Sequence, residues 1–131
     1  MQTSIPIKFV PKGWGFEKWI VNCEQYCGKL LYFVKGKKCS LHYHKLKDEV
    51  FYVQSGKIKV WWSDDLEMIE DLAKAGISVG RSLYQTSLEK GDNFHVPAGR
   101  AHQIIALEDT ELFEFSTQHF DEDSYRIMKG D

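Results

Sequence analysis

Short apolar segments alternate with turn residues along almost the whole chain. Within many of these segments hydrophobic and polar positions alternate, which is the period of a β-strand with one buried face. The pattern predicts strands in EKWIVN, KLLYFVK, KKCSLHYH, EVFYVQS, KIKVWW, RSLYQTSLE, NFHVPA, AHQIIAL and ELFEFST. Many short strands at close spacing are typical of a β-sandwich or barrel.

The segment SDDLEMIEDLAKAG, residues 63–76, has a helical period instead. Its apolar positions that recur at this spacing are Leu66, Ile69, Leu72 and Ala73. Ser63 or Asp64 could cap the start of a helix, and Gly76 could end it. We expect a short amphipathic helix or structured loop inserted between strands, with a packing role.

Length and composition predict one globular domain. The chain has 131 residues, 43% apolar and 27% charged, with no internal repeat and no Pro- or Ser-rich linker. We therefore expect a single domain over residues 1–131. Seventeen basic and nineteen acidic residues give a formal net charge of −2. Without a basic excess, nucleic acid is not an expected partner.

The sequence also predicts a cytoplasmic protein without a membrane partner. No stretch approaches the roughly 20 apolar residues that span a bilayer. The amino terminus lacks the apolar segment and cleavage site of a signal peptide. Cys23, Cys27 and Cys39 are odd in number, which argues against a disulfide framework. Cys23 and Cys27 could form half a zinc site, but no matching pair lies nearby, so we interpret them as free thiols.

The stretch CSLHYHKLKDEVFYVQSG, residues 39–56, contains candidate metal ligands. His42 and His44 are one residue apart, and Glu49 follows five positions on. On one continuous strand the two histidines would share a face and Glu49 would point to the other. If residues 45–48 form a turn, two antiparallel strands face each other and all three side chains can converge. A metal ion would require that geometry.

A second stretch, GDNFHVPAGRAHQII at residues 91–105, positions another histidine. A turn, a strand and the tight turn PAG precede a further strand that His102 opens. The rigid Pro97 and the permissive Gly99 fix how the chain re-enters the sheet, and therefore where His102 points.

Together the two stretches resemble the paired motifs of the cupin superfamily. Every fixed position of the first motif is present: Gly36, His42, His44, Glu49 and Gly56. The second motif is matched by Gly91, Pro97, Gly99 and His102, whereas Ala106 replaces its final asparagine. The resemblance implies an all-β cupin domain, a double-stranded β-helix or jelly-roll barrel, with a metal ion inside.

By this resemblance the metal ligands are His42, His44, Glu49 and His102. Neutral imidazoles and a carboxylate suit one divalent transition metal, namely Zn, Mn, Fe, Ni or Co. The alternative is a metal-free group of buried, hydrogen-bonded polar side chains. That arrangement would be costly, because a carboxylate would be buried without a cation to compensate it.

Residues 12–127 resemble the mannose-6-phosphate isomerase domain found fused to mannose-1-phosphate guanylyltransferase. The domain's Arg-Pro-Trp-Gly opening is echoed by Lys12, Gly13, Trp14 and Gly15. Its acidic run followed by an arginine is echoed by Asp121, Glu122, Asp123 and Arg126. Lys12 and Gly13 depart from the Arg-Pro pattern. The resemblance implies an aldose–ketose isomerase that acts on a phosphorylated sugar, with the domain core over about residues 12–127.

Isomerisation needs a base that carries a proton between neighbouring carbons. Glu114 and His95 are the candidates. If Glu114 faces inward among its apolar neighbours, burial should raise its pKa. In the alternative, Phe113 and Phe115 face the core and Glu114 faces water. Strand alternation leaves a similar choice for His95, which points either into the site or outward.

Arg100, Arg126 and Lys12 are the candidate partners of a substrate phosphate; each could instead be an ordinary surface charge. Two other classes of function stay open. One is a non-haem iron dioxygenase, since two histidines and a carboxylate also bind iron in such enzymes. The other is a non-catalytic module that binds a sugar or metabolite.

The apolar amino-terminal run IPIKFV, residues 5–10, could add a strand to the edge of a neighbouring chain. By analogy with other cupins we expect a homodimer.

Overall fold

The computed structural model describes residues 3–131 and confirms the predicted all-β class. The strands are β1 (Lys8–Lys12), β2 (Gly15–Asn22), β3 (Cys27–Phe33), β4 (Leu41–Tyr43), β5 (Glu49–Ser55), β6 (Lys57–Ser63), β7 (Tyr84–Glu89), β8 (Asn93–Val96), β9 (Ala101–Ala106), β10 (Thr110–Ser116) and β11 (Tyr125–Met128). One α-helix, α1 (Leu66–Lys74), and two 3-10 turns, Gly80–Ser82 and Asp121–Asp123, complete the fold.

The strands form two antiparallel sheets. The six-stranded sheet has the order β1-β2-β3-β10-β5-β8, and the five-stranded sheet has the order β11-β4-β9-β6-β7. Neighbours in the sheets are often distant in the sequence: β10 lies between β3 and β5, and β9 between β4 and β6. The chain therefore crosses repeatedly from one sheet to the other, as the predicted jelly roll requires.

Apolar side chains from both sheets fill part of the space between them. This core consists of Trp14, Leu31, Phe33, Cys39, Phe51, Val53, Ile58, Val60, Leu88, Val96, Ile104, Ala106 and Leu112. Trp14 stacks on Phe33 with ring centroids 4.0 Å apart. The remainder of the interior is a cavity whose wall carries the charged and imidazole side chains described below.

Helix α1 covers the outer side of the five-stranded sheet. Its buried Ile69 packs with Leu41 and Tyr43, which alternate along β4 with the inward-facing His42. The helix is capped by Asp65, whose side chain accepts a hydrogen bond from the backbone N–H of Met68. The cap therefore follows the predicted candidates, Ser63 and Asp64, by two residues and one residue. No residue of α1 lines the cavity, which agrees with a packing role.

Strands β1 and β11, near the two ends of the chain, were not predicted as strands of this domain. The predicted amino-terminal edge strand pairs, as β1, with β2 of its own chain; for example, Phe9 lies opposite Lys18. It forms an edge of the six-stranded sheet. Strand β11 pairs with β4, which brings Arg126 opposite His42.

The three cysteines are free, as predicted. Among residues 3–131, no helix is long and apolar enough to cross a membrane.

Candidate metal centre and cavity

The histidines predicted as metal ligands come together on the inner face of the five-stranded sheet. His42 on β4 lies directly opposite His102 on β9. Directly opposite residues of an antiparallel pair point to the same face, so both rings enter the space between the sheets. His44 follows two positions after His42 and shares that face.

Glu49 reaches the same place from the opposite sheet. The chain leaves β4 at His44, turns, and begins β5 of the six-stranded sheet at Glu49. The predicted turn at residues 45–48 therefore carries the chain across the barrel, and β4 and β5 face each other rather than forming a hairpin. The alternation of inward and outward side chains starts anew in β5. Glu49, five positions after His44, can therefore point back towards His44.

The four side chains form a compact buried group. One ring nitrogen from each of His42, His44 and His102 lies within 4.8 Å of the others. Oε2 of Glu49 is 3.2 Å from Nε2 of His44 and 3.7 Å from Nε2 of His102. Ligand atoms bound at about 2.0–2.2 Å around one ion are separated by distances of this order. The carboxylate lies beside two of the three imidazoles.

Backbone carbonyl oxygens fix the orientation of each ring. Nδ1 of His42 lies 2.9 Å from the carbonyl oxygen of Ser40. Nδ1 of His44 lies 2.6 Å from the carbonyl oxygen of Asp123, and Nδ1 of His102 lies 3.0 Å from that of Arg100. A carbonyl only accepts, so each Nδ1 carries the proton and donates it. Each Nε2 then points to the interior, and a ring held by an Nδ1–H hydrogen bond to a carbonyl is typical of metal-binding histidines.

Burial keeps the imidazoles of His42 and His102 neutral. Loss of hydration lowers the pKa of His42 well below its usual value, and the neighbouring rings of His102 and His44 lower it further. The same two causes, burial and the adjacent His44, lower the pKa of His102 to about 3. Neutral imidazole is the form that binds a metal ion.

Glu49 provides the observation that tests whether a cation fits. Its Oε2 is buried and has no hydrogen-bond partner among the described residues, although it faces the histidine nitrogens. A buried, unsatisfied carboxylate oxygen is costly, and the neutral rings of His42 and His102 offer it only lone pairs. A divalent ion among these four groups would satisfy it, so the donor set fits such an ion.

The buried Lys47 lies next to these four side chains, and no pattern in the sequence predicts its position there. Lys47 is only 3% exposed, and its Nζ lies 3.1 Å from Oε2 of Glu114, 3.2 Å from Nδ1 of His119 and 3.7 Å from Oε1 of Glu49. Burial alone lowers the pKa of Lys47, but Glu114 and then Glu49 raise it above its usual value. The cavity wall therefore carries a fixed positive charge.

Glu114 faces the cavity, not water. It belongs to a row of directly opposite residues across the six-stranded sheet, formed by Lys8, Trp19, Lys29, Glu114 and Phe51. Glu114 is 4% exposed and Phe115 is 57% exposed, so the alternative with Phe115 in the core is wrong.

The expected rise in the pKa of Glu114 is also wrong. Burial does raise it, but the ammonium groups of Lys47 and Lys29 outweigh burial, and the pKa falls to about 2. Glu114 is therefore an ionised carboxylate inside the barrel.

The cavity extends from the histidines to a rim with four basic side chains and the acidic Asp121 and Asp131. It has a volume of about 510 Å³. Its lining includes Lys8, Lys12, Arg126 and Lys129. Among residues 3–131, none of these four forms an ion pair. Arg126 is opposite His42 in the sheet register, so it faces the same interior. Two of the predicted phosphate partners, Arg126 and Lys12, therefore line the cavity that holds the histidines.

The positions of His95 and Arg100 contradict the roles predicted for them. The side chain of His95 is 57% exposed and forms a 2.8 Å contact with Asp48 on the outer surface. Arg100 binds both carboxylate oxygens of Asp64 and lies over the Trp62 ring, at 4.3 Å from its centroid. Neither side chain lines the cavity, so His95 is withdrawn as a base and Arg100 as a phosphate partner.

His119 is a further cavity residue that sequence reasoning missed. Its backbone exchanges two hydrogen bonds with the side chain of Asn22, at 2.8 and 3.0 Å. Its ring lies between Lys47 and Asp121, with Nε2 3.1 Å from the Asp121 carboxylate. No motif in TQHFDED marks this histidine as a site residue, because Asn22 and Lys47, which position it, lie on distant segments.

Comparison with known families identifies the fold class. The family profile described as Cupin matches residues 28–126, which is most of the chain. The chain therefore belongs to the cupin family. No curated protein matches the sequence.

Solved structures with the same fold include three proteins of low sequence identity. KdgF from Halomonas sp. is 18% identical, with a TM-score of 0.67, over 88% of this chain and 91% of KdgF. The capsular polysaccharide assembling protein CapF from Staphylococcus aureus is 19% identical, with a TM-score of 0.71, over 94% of this chain and 33% of CapF.

A variant of oxalate decarboxylase from Bacillus subtilis is 19% identical, with a TM-score of 0.71, over 92% of this chain and 30% of that enzyme. The chain thus spans about a third of CapF and of oxalate decarboxylase. At these identities the similarity concerns the fold.

Proposed function

We propose that the protein binds one divalent transition-metal ion through His42, His44, Glu49 and His102 and isomerises a phosphorylated sugar between its aldose and ketose forms. The observation that carries the metal site is the buried, unpartnered Oε2 of Glu49, which faces imidazoles whose Nε2 atoms point inward. Support for the reaction comes from the resemblance of residues 12–127 to mannose-6-phosphate isomerase and from the residues that share the cavity.

When bound, the ion would supply Lewis-acid stabilisation of the negative charge that develops on the sugar's carbonyl and hydroxyl oxygens. The protein supplies the rest of the site. The three histidine rings are held by backbone carbonyls, so they need little reorganisation. The apolar core around Phe51 and Ile104 closes one part of the cavity and limits the access of water.

In this proposal Glu114 is the base. It is ionised, which is the form that accepts a proton. Both hydrogen bonds to its side chain, from Lys47 and Ser116, fall on Oε2, which leaves Oε1 for the substrate. Glu114 would take a proton from one carbon of the sugar and return it to the neighbouring carbon.

Arg126 and Lys12 would bind the phosphate at the cavity rim. The rim positions of Lys8 and Lys129 add positive charge to the same region. Because these four cations have no acidic partner among the described residues, a phosphate dianion would form charge-assisted hydrogen bonds without displacing an existing ion pair. A substrate whose phosphate binds at the rim would extend into the cavity with its carbonyl end towards the histidines.

The experiment is a screen of hexose and pentose phosphates for aldose–ketose conversion. It uses protein purified without added metal, then stripped with a chelator and reloaded with single metals. Conversion that disappears with the chelator and returns with a divalent ion supports the proposal. Oxygen consumption with iron would indicate the dioxygenase alternative, and tight sugar-phosphate binding without conversion would indicate a binding module.

We further propose a homodimer formed through the edge strand β1. Ile5, Ile7 and Phe9 are 60%, 64% and 56% exposed, although all are large and apolar. Among residues 3–131, strand β1 pairs only with β2, so its other edge is free. A free edge next to exposed apolar side chains favours pairing with another chain.

We also propose that residues 1–131 act as a single cupin domain in the cytoplasm, with a core over about residues 12–127. The family match at residues 28–126 lies within that core. The free cysteines are compatible with a reducing compartment.

A further inference from the structure

We propose that Lys47 is a positioning residue that occupies one oxygen of Glu49, so that this carboxylate binds the metal ion through its other oxygen alone. The inference rests on the metal site of the proposed function. It assigns a role to a buried cation for which the isomerase mechanism has no other use.

The two oxygens of Glu49 have different surroundings. Oε1 is 3.7 Å from the ammonium group of Lys47. Oε2 is 3.2 Å from Nε2 of His44 and has no hydrogen-bond partner among the described residues. One oxygen therefore faces a fixed positive charge, and the other faces the candidate metal site.

Lys47 is itself held firmly. Its ammonium group donates hydrogen bonds to Glu114 and His119, and it also lies within ion-pair distance, 3.7 Å, of Oε1 of Glu49. Asp121 accepts from Nε2 of His119, which leaves Nδ1 of that ring free to accept from Lys47. The side chain is 3% exposed, so it cannot swing away to solvent without leaving Glu114 as an unpaired buried charge.

The number of oxygens through which Glu49 binds determines how many coordination positions on the metal ion stay open. A carboxylate that binds through both oxygens takes two positions, whereas one that binds through a single oxygen takes one. With three imidazoles already bound, the position that Lys47 keeps free is available to an oxygen of the substrate. Lys47 thereby preserves room for substrate without touching it.

Lys29 provides a matched control. It lies in the same cavity and is 2% exposed, so its burial is similar to that of Lys47. Its partners are different: Glu17 at 3.5 Å and the Trp19 ring at 4.1 Å from its centroid. Replacing Lys29 removes a buried positive charge without removing a contact to Glu49.

The test compares cobalt-loaded wild-type protein with Lys47→Met, Lys47→Arg and Lys29→Met. A fourth variant, Lys47→Met with Glu114→Gln, removes both partners of the ion pair and keeps the experiment decisive if Lys47→Met alone does not fold. The readout is the infrared difference spectrum between metal-free and cobalt-loaded protein. Binding of a carboxylate through one oxygen separates its two stretching bands widely, and binding through both oxygens brings them closer.

We expect wide band separation in wild type, Lys47→Arg and Lys29→Met, and a narrowed separation in Lys47→Met and in the double variant. Loss of cobalt from both variants that lack Lys47, while Lys29→Met keeps it, would overturn the proposal, because Lys47 would then be needed to form the site and not to keep one oxygen of Glu49 from the ion. An unchanged band separation in the double variant would overturn it. If wild-type protein binds no cobalt, the proposed metal site itself fails.

Discussion

The backbone carbonyl of Asp123 lies 2.6 Å from Nδ1 of His44, so a residue 79 positions away along the chain orients a candidate metal ligand. The carboxylate of the same Asp123 accepts hydrogen bonds from the backbone N–H groups of Lys45, Leu46 and Lys47. One aspartate therefore fixes both His44 and the turn that carries the chain from there to Glu49.

Replacing Asp123 with alanine should destabilise the protein by about 3 kcal/mol, because three backbone N–H groups, of which that of Lys47 is buried, lose a charged acceptor. Chemical denaturation of the metal-free protein measures this change. Asp121→Ala is the control, since the Asp121 side chain is 80% exposed. Equal unfolding free energies for the two variants would contradict the role of Asp123.

The contribution of Asp123 should also depend on pH. Burial raises its pKa, but hydrogen bonds from Lys45, Lys47 and Leu46 lower it, and the net pKa is below the usual value. A carboxyl group with a lowered folded pKa stabilises the fold above its unfolded pKa, about 3.9, and loses that effect as the pH falls through the folded value. The stability difference between wild type and Asp123→Asn should therefore shrink on acidification below about pH 4. A difference that grows in acid would refute this assignment.

Glu114→Gln should abolish most isomerase activity while metal binding stays intact. Loss of a general base lowers kcat by about 10²–10⁴-fold. Steady-state kinetics and metal analysis of the same preparation check both parts. Glu111→Gln is the matched control on the same strand, since Glu111 is bonded to Ser55 and does not line the cavity. Full activity in Glu114→Gln would exclude it as the base.

Arg126→Ala should raise KM for a phosphorylated sugar by about tenfold, which corresponds to about 1.4 kcal/mol of binding free energy. Lys12→Ala should act in the same direction, because both residues line the rim. Arg100→Ala is the control, since Arg100 is engaged with Asp64 outside the cavity. An equal effect of all three substitutions would argue against a phosphate site at the rim.

Replacing Ile5 and Ile7 with serine should shift the protein from dimer to monomer, because it removes exposed apolar area next to β1 while sparing the strand itself. Deletion of residues 1–10 should do the same, although it also removes part of β1. Light scattering after size-exclusion chromatography measures the mass. A dimer that survives both changes would show that the interface lies elsewhere.

The parts of the site that were predictable from sequence depend on local spacing. His42 and His44 share a face because they are two positions apart on a strand, and the Pro97 and Gly99 turn precedes His102 at a fixed distance. Most strands were likewise recognisable from their period. Strand β1 was predicted only as an added strand for a neighbouring chain, and β11 was not predicted.

What escaped prediction depends on contacts between distant segments. Lys47 pairs with Glu114 across 67 positions, and lysine is rarely buried, so composition favoured the surface. Glu114 lies between Phe113 and Phe115. Strand alternation alone could not decide whether Glu114 or the two phenylalanines faced inward. Arg100 was assigned to phosphate because its partner Asp64, 36 positions earlier, gave no signal in the sequence.

The central claim is that one cation binds where the three imidazoles and Glu49 meet, and the metal content of purified variants tests it most directly. Elemental analysis should find about one equivalent of a divalent transition metal in wild type. Tyr43→Phe should match wild type, because the Tyr43 hydroxyl contacts Glu70 outside the barrel. His44→Ala and Glu49→Ala should each retain a tenth or less, as expected for the loss of a ligand. Equal metal content in all four proteins would contradict the account.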